Sequence, residues 1–147
     1  MAVSGYLLDI NVLIARVDGG HSHHRVAADW LAGLGNVAIA TCPLTENGFV
    51  RIYGHPDYPG GPGAPAAARA DLAVIRRLPG HRFVPDSITI DDRVLFCSLA
   101  EVTPRQVSDL YLLGLAVKNG LRFGTFDGAI PAALVRGGVE ALEVIPG

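Results

Sequence analysis

The strongest constraint on the fold is the alternation of short apolar segments with longer segments of helical pattern. GYLL (5–8) and VAIA (37–40) are each followed by residues whose apolar positions recur at helical spacing. HRFVP (81–85) is a candidate third strand, and LRFGTF (121–126) and ALEVI (141–145) complete the set. Strands that alternate with helices pair in parallel and are covered on both faces. The sequence therefore predicts an α/β sandwich with a mostly parallel central sheet flanked by helices.

The helix before the strand at 121–126 has the most explicit boundaries in the chain. Thr103, Pro104 and Gln106 form a capping-box pattern with proline at the first helical position. Gly120 ends this helix after Asn119. Further helices are predicted at 11–16, within 21–35, from about Pro43 onward, at 66–78, and as one or two short segments within 86–101.

Length and composition indicate a single globular domain that spans residues 1–147. Half of the residues are hydrophobic and 18% are charged, which suffices for a core without disulfides. Cys42 and Cys97 are expected to be reduced and packed. No apolar run is long enough for a membrane span, and the N-terminus lacks the basic flank of a secretory signal, so we expect a cytoplasmic protein.

Four carboxylates stand close to the ends of predicted strands. Asp9 directly follows 5–8, Asp127 directly follows the strand at 121–126, and Glu46 lies about one turn into the helix after 37–40. The carboxyl ends of parallel strands share one edge, where ligands bind in α/β sheets. Asp109 lies in the second turn of the helix that Thr103 caps, and spacing alone leaves open whether it joins the other three acids.

Carboxylates gathered at one edge would raise one another's pKa unless a cation were present. Oxygen ligands without histidine favour Mg²⁺ or Mn²⁺, which can activate water and shield the charge of a phosphodiester. Each acid also has a purely structural interpretation. Asp9 and Asp127 can cap a helix or turn, Glu46 can be a first-turn acid that the helix dipole favours, and Asp109 can be a solvated side chain.

Four segments resemble, in this order, the four acidic motifs of PIN-domain ribonucleases, and specifically of the VapC-like toxins of bacterial toxin–antitoxin pairs: LLDINVLIA, LTENGFVR, QVSDLYLLGLA and GTFDGAI. The resemblance runs from about residue 6 to residue 130. It implies that the four acids form the catalytic metal site: Asp9, Glu46, Asp109 and Asp127. It also implies supporting positions around them, with Asn11 hydrogen-bonded within the acidic group and Thr125 before the fourth acid.

The same resemblance implies a fold, an activity and partners. The fold is a parallel α/β sandwich, and the activity is Mg²⁺- or Mn²⁺-dependent endonucleolytic cleavage of RNA, commonly structured RNA, which stops translation. A small antitoxin protein would bind the chain and block its site, and the complex would contact DNA through the antitoxin. The chain itself would form a homodimer.

Two other functions fit parts of the pattern. A phosphatase with Asp9 as nucleophile requires a second aspartate two residues later, where Asn11 stands, and Lys118, the one lysine of the chain, lies in the tail of a helix. A PIN-like module that binds metal or protein without catalysis would carry the same acids. The net charge of −2 does not by itself indicate nucleic-acid binding, although the distribution of charge matters more than its sum.

Other polar and aromatic residues have simpler interpretations. The histidine cluster is expected to open a helix at the surface instead of binding a metal: His21, His23 and His24. Arg51 is expected either to approach a substrate phosphate or to lie on the surface, and the 54–65 loop of Pro and Gly could contribute to target choice. Trp30 and Phe49 are expected to pack in the core or a dimer interface.

Overall fold

The computed structural model describes residues 4–147 and contains a five-stranded parallel sheet. The strands are β1 (Gly5–Leu8), β2 (Ala38–Thr41), β3 (His81–Phe83), β4 (Arg122–Thr125) and β5 (Leu142–Val144). Their order across the sheet is β3-β2-β1-β4-β5, with every neighbouring pair parallel. The predicted α/β fold with a parallel sheet is confirmed. Because β1 is central, its carboxyl end lies between those of β2 and β4.

Helices connect the strands and pack on the sheet. They are α1 (Ile10–Val17), α2 (His24–Ala32), α3 (Pro43–Tyr53), α4 (Pro65–Asp71), α5 (Ala73–Arg76), α6 (Val107–Lys118) and α7 (Gly138–Ala141). Single 3₁₀ turns occur at Pro104–Gln106 and Ala132–Leu134. Between residues 4 and 147, no helix has both the length and the apolar character needed to cross a membrane.

Two apolar cores fill the two faces of the sheet. Leu7 and Phe123 are fully buried in the core that contains the apolar residues of α6. Leu8 is fully buried in the other core, with Val12 of α1 and Phe49 of α3. Successive strand residues point to opposite faces, so β1 must be apolar at every position to serve both cores. This arrangement is what holds the end of β1 in the middle of the molecule.

The prediction of short helices within 86–101 is wrong. These residues form turns, and Phe96 pairs with Val135 in an isolated antiparallel bridge. The Asp92 carboxylate accepts hydrogen bonds from two of the backbone N–H groups that follow it, at 3.0 and 3.1 Å. Such local side-chain bonds offer the backbone an alternative to helical pairing. The tertiary bridge then holds the segment in its irregular path.

The single helix predicted over 66–78 is divided in the structure. Leu72 separates α4 from α5, and α5 ends at Arg76 because Pro79 disfavours helical geometry at the residue before it. The expectation that both thiols are packed is correct for Cys42, which is buried, and wrong for Cys97, which is exposed. Both cysteines are free thiols.

The loop of Pro and Gly at 54–65 is attached to the body of the protein by one aromatic side chain. The Tyr58 hydroxyl donates a 2.7 Å hydrogen bond to Asp18, at the end of α1. The Tyr58 ring also packs edge-on against Tyr53, with ring centres 5.1 Å apart. The loop is therefore an excursion from the same fold, as predicted, with its own anchor.

Candidate metal centre

Asp9 lies directly after β1 and is almost fully buried, with 6% of its surface exposed. One carboxylate oxygen accepts a 2.7 Å hydrogen bond from the Ile10 backbone N–H and thereby caps α1. The other oxygen accepts a 2.7 Å hydrogen bond from the Thr125 hydroxyl at the end of β4. The structural and the functional interpretations of Asp9 are thus compatible, because the cap orients a carboxylate at the sheet edge.

Thr125 connects two of the predicted acids. Its buried hydroxyl donates to Asp9 and accepts a 3.0 Å hydrogen bond from the backbone N–H of Asp127. The Asp127 carboxylate accepts a 2.8 Å hydrogen bond from the Ala129 N–H, so it also stabilises a turn, and its residue is exposed. The adjacency of β1 and β4 therefore places the first and fourth acids together.

Asp109 reaches the same edge from the first turn of α6. The helix is positioned by the predicted capping box: the Thr103 N–H donates to the Gln106 side chain at 3.0 Å. The first turn, Pro104–Gln106, is 3₁₀, and at the other end Gly120 takes the left-handed conformation at φ +66° that glycine adopts readily. Leu110 and Leu112 are fully buried in the core, whereas Asp109 is only partly buried.

Asp9, Asp109 and Asp127 form one electrostatic group. Burial is the main cause that raises the pKa of Asp109 to about 6, and the charges of Asp9 and Asp127 raise it further. Burial also raises the pKa of Asp9, as does the charge of Asp127, against the lowering effect of the hydrogen bonds from Thr125 and Ile10. Carboxylates with raised pKa values and like-charged neighbours form a site that a cation would stabilise.

Glu46 has a different set of hydrogen-bond partners. Its carboxylate accepts hydrogen bonds from the Thr41 hydroxyl at 2.7 Å and from the Arg76 guanidinium at 2.5 Å. The charges that raise the pKa of Asp109 are those of Asp9 and Asp127, whereas Glu46 contributes to the environment of His81. The first and fourth acids are thus linked through Thr125, and both charges act on Asp109. Glu46 is paired with an arginine from α5, and the role of all four acids as metal ligands stays a prediction.

Two consecutive hydrogen bonds, between His81 and Thr41 and between Thr41 and Glu46, hold the Glu46 carboxylate. His81 Nε2 lies 2.9 Å from the Thr41 hydroxyl oxygen. Since the single hydroxyl proton of Thr41 is directed to Glu46, the His81 ring must donate through Nε2–H to complete both bonds. Burial and the positive charge of Arg76 lower the pKa of His81, which favours the neutral ring. The two hydrogen bonds together fix the orientation of the Glu46 carboxylate.

The remaining predicted residues lie in varied surroundings. Asn11 is exposed on α1, and Asp9 receives its side-chain hydrogen bonds from Ile10 and Thr125 instead, so the supporting role of Asn11 stays a prediction. Arg51 is exposed in the last turn of α3. Lys118 ends α6, at the opposite end from Asp109.

The histidine cluster lies at the start of α2, as predicted, with His23 at the N-cap. His23 stacks on Phe126 with ring centres 4.8 Å apart, and His24 Nδ1 lies 2.7 Å from the Ala15 carbonyl oxygen. Trp30 packs edge-on against Tyr6, and Phe49 is fully buried. The contacts of Trp30 and Phe49 agree with their expected packing roles.

Two residues near the site were missed by the sequence reasoning. Arg76 pairs with Glu46 across 30 residues of sequence. Asp86 lies just beyond β3 and accepts a 3.2 Å hydrogen bond from the Leu44 N–H in the first turn of α3. No periodicity or motif links either residue to its partner. Only the placement of β3 beside β2 could have identified them.

The donor chemistry fits a hard divalent cation. Among residues 4–147, no three His, Cys, Asp or Glu side chains are close enough to form a complete metal-binding group. Mg²⁺ does not require one, because it retains several waters and is commonly held by one or two carboxylates. The mutual repulsion of Asp9 and Asp109 is the feature that such an ion would relieve.

Comparisons with known proteins show what this chain resembles. The family model described as PIN domain matches residues 6–133. Ribonuclease VapC38 of Mycobacterium tuberculosis is 39% identical over 125 residues, which cover 84% of this chain and 86% of that protein. Ribonuclease VapC44 of the same organism is 38% identical over 134 residues, or 91% of this chain and 94% of that protein.

Two solved structures share the fold at low sequence identity. The sarcin-ricin loop cleaving toxin VapC20 of Mycobacterium tuberculosis superposes with a TM-score of 0.60 at 15% identity, covering 89% of this chain and 96% of that one. VapBC2 from Rickettsia felis, bound to a DNA fragment from its promoter, gives a TM-score of 0.61 at 16% identity, covering 97% and 99%. At these identities the likeness concerns the fold alone.

Proposed function

Because the chain belongs to the PIN-domain family and is similar to VapC ribonucleases, we propose that it is a metal-dependent endoribonuclease and the toxin of a toxin–antitoxin pair. The observation that carries the proposal is the link from Asp9 through the Thr125 hydroxyl to the backbone of Asp127 at the carboxyl edge of the sheet. The charges of both acids also raise the pKa of Asp109. Ligands of parallel α/β sheets bind at this edge. The substrate class is structured cellular RNA, which implies action in the cytoplasm.

Each acidic residue has a defined part in the proposed reaction. Asp9 and Asp109 would hold Mg²⁺ or Mn²⁺, with Asp127 beside them. The bound ion would supply a water of lowered pKa and would shield the charge of the phosphodiester. Thr125 keeps one Asp9 oxygen oriented, and the α1 cap orients the other. Glu46 would join the ligands through Oε1, because the hydrogen bonds from Thr41 and Arg76 both go to Oε2.

The proposal extends to partners. A small antitoxin protein would cover the acidic edge and neutralise its charge, and contact with promoter DNA would run through the antitoxin. The Rickettsia felis neighbour, a VapBC assembly on a promoter fragment, supports this part of the proposal through its likeness of fold. We also propose that the whole chain forms one domain and that it acts as a homodimer.

The test is cleavage of total RNA by the purified chain with Mg²⁺ or Mn²⁺. Asp109→Asn is the informative variant, because the asparagine has the same shape but no longer attracts a cation. Asp29→Asn is the matched control, since the Asp29 side chain is 77% exposed on α2. We expect discrete fragments from the parent and from the control, and intact RNA with chelator or with Asp109→Asn. Fragments produced equally by Asp109→Asn would contradict the assignment.

One observation favours a competing function. The salt bridge with Arg76 partly neutralises the charge of Glu46, which weakens its attraction for a cation and fits a non-catalytic PIN-like binding module. The same experiment separates the two hypotheses. Intact RNA from a folded parent protein that binds Mn²⁺ would favour the binding module.

A further inference from the structure

The arginine that forms a salt bridge with Glu46 also contacts an exposed aromatic side chain. The guanidinium carbon of Arg76 lies 5.6 Å from the centre of the Phe83 ring, in a cation–π arrangement. The same guanidinium contacts Glu46 through Nη1. Phe83 is the last residue of β3 and is 46% exposed. One arginine therefore connects a proposed metal-binding acid with an open aromatic face.

The position of Phe83 places it at the functional edge of the sheet. Phe83 is the register partner of Thr41, whose hydroxyl donates to Glu46. Residues paired in neighbouring parallel strands point to the same face, so Phe83, Thr41 and the Glu46 carboxylate share one side of the sheet. A single exposed apolar residue needs no explanation, but this one extends the candidate site toward the β3 side.

We propose that Arg76 and Phe83 form an RNA subsite beside the acidic group, in which the Phe83 ring stacks on a base and Arg76 holds the adjoining phosphate. The proposal rests on the ribonuclease function proposed above and names residues that position its substrate. Aromatic side chains that stack on bases, together with arginines on the backbone, are the means by which proteins bind single-stranded nucleic acid, including the unpaired loops of structured RNA. A guanidinium carries five N–H donors, so Arg76 can bind a phosphate as well as Glu46.

The subsite also explains how a chain of net charge −2 can bind a polyanion beside its own carboxylates. Arg76 supplies positive charge next to Glu46, and the stacking contribution of Phe83 does not depend on charge at all. Two further exposed arginines are near in sequence, Arg77 at the end of α5 and Arg82 in β3. RNA would then approach the acidic group from the β3 side of the sheet.

The test is binding of a fluorescently labelled single-stranded RNA of mixed sequence, measured by anisotropy in chelator so that no cleavage occurs. Phe83→Ala is expected to weaken binding about tenfold, and Phe83→Tyr is expected to retain it, because stacking requires only the ring. Val139→Ala, at a residue 63% exposed on α7, is the matched control. Thermal unfolding followed by circular dichroism checks that each variant is folded.

Arg76→Gln gives an independent reading of the same subsite. Loss of one phosphate contact should reduce the dependence of log K on log salt concentration by about 0.7, whereas Phe83→Ala should leave that slope unchanged. Arg25→Gln, which removes an arginine 93% exposed on α2, should keep the parent slope.

The subsite is overturned if Phe83→Ala binds RNA as tightly as the parent, or if the parent binds no RNA. Cleavage by the parent with Mn²⁺ is measured in parallel and reports the proposed function separately. Cleavage that depends on Asp109 together with unchanged binding by Phe83→Ala would leave the ribonuclease and reject the subsite.

Discussion

Replacement of Asp109 by asparagine should stabilise the metal-free protein at neutral pH. Burial and the charges of Asp9 and Asp127 raise the pKa of Asp109 from its ordinary value of 3.8 to about 6. A rise of this size corresponds to about 3 kcal/mol of destabilisation at most, and solvent screening of a half-buried group reduces it to about 1–2 kcal/mol. The free energy of unfolding of Asp109→Asn should exceed that of the parent by this amount.

The sign of the pH dependence follows from the direction of the shift. A carboxyl whose pKa is higher in the folded state loses its proton more easily on unfolding. The parent is therefore destabilised progressively as the pH rises from about 4 through about 6, and the asparagine variant is not. The difference between the two proteins should be largest at pH 7.5 and should vanish near pH 4.

Urea denaturation in chelator at pH 7.5 and at pH 4 measures the effect. With an ordinary urea dependence, the midpoint at pH 7.5 should rise by about 0.5–1 M. Asp29→Asn is again the control and should change the stability by less than about 0.5 kcal/mol. Added Mg²⁺ should stabilise the parent more than the variant. A variant that is less stable than the parent at pH 7.5, or equally stabilised at both pH values, would refute the reasoning.

Three further perturbations test other contacts of the structure. Thr125→Val removes the hydroxyl that donates to the Asp9 carboxylate, so the free energy of unfolding measured in urea at pH 7.5 should fall by about 1.5–3 kcal/mol. An unchanged urea midpoint would contradict the presence of that hydrogen bond. Tyr58→Phe removes the hydrogen bond to Asp18, so limited proteolysis should cut the 54–65 loop faster and the free energy of unfolding should fall by about 1 kcal/mol. Equal cleavage rates for the parent and the variant would mean that the ring alone anchors the loop. Arg76→Gln releases Glu46, so Mn²⁺ should bind about fivefold more tightly by calorimetry, whereas weaker binding would show that the salt bridge helps to build the metal site.

The stabilisation expected for Asp109→Asn has a functional meaning. A partly buried group of like charges lowers the stability of the folded state and is retained where its chemistry is used. The same carboxylates that destabilise the empty site would attract a divalent cation. An increase in stability accompanied by loss of RNA cleavage would therefore support the proposed role of Asp109 from two independent measurements.

Local patterns in the sequence were sufficient for much of the fold. β1 must be apolar at both Leu7 and Leu8 because it contributes side chains to two cores, and this pattern can be recognised from the sequence. The capping box of Thr103 and Gln106 depends on residues three positions apart, so the start of the helix that carries Asp109 could also be predicted. The order of the acidic motifs correctly indicated the family.

Contacts between distant residues could be decided only by the tertiary structure. The 86–101 segment has no helix, since Phe96 bridges to Val135 and Asp92 binds the backbone locally. Glu46 is paired with Arg76, an arginine that no motif links to it and that the helix before β3 brings into reach. The order of strands and acids in the sequence was enough to indicate a shared acidic edge, because the carboxyl ends of parallel strands lie side by side. The hydrogen-bond and ion-pair partners of each acid depended on the tertiary structure, because they come from residues whose distances sequence spacing does not contain.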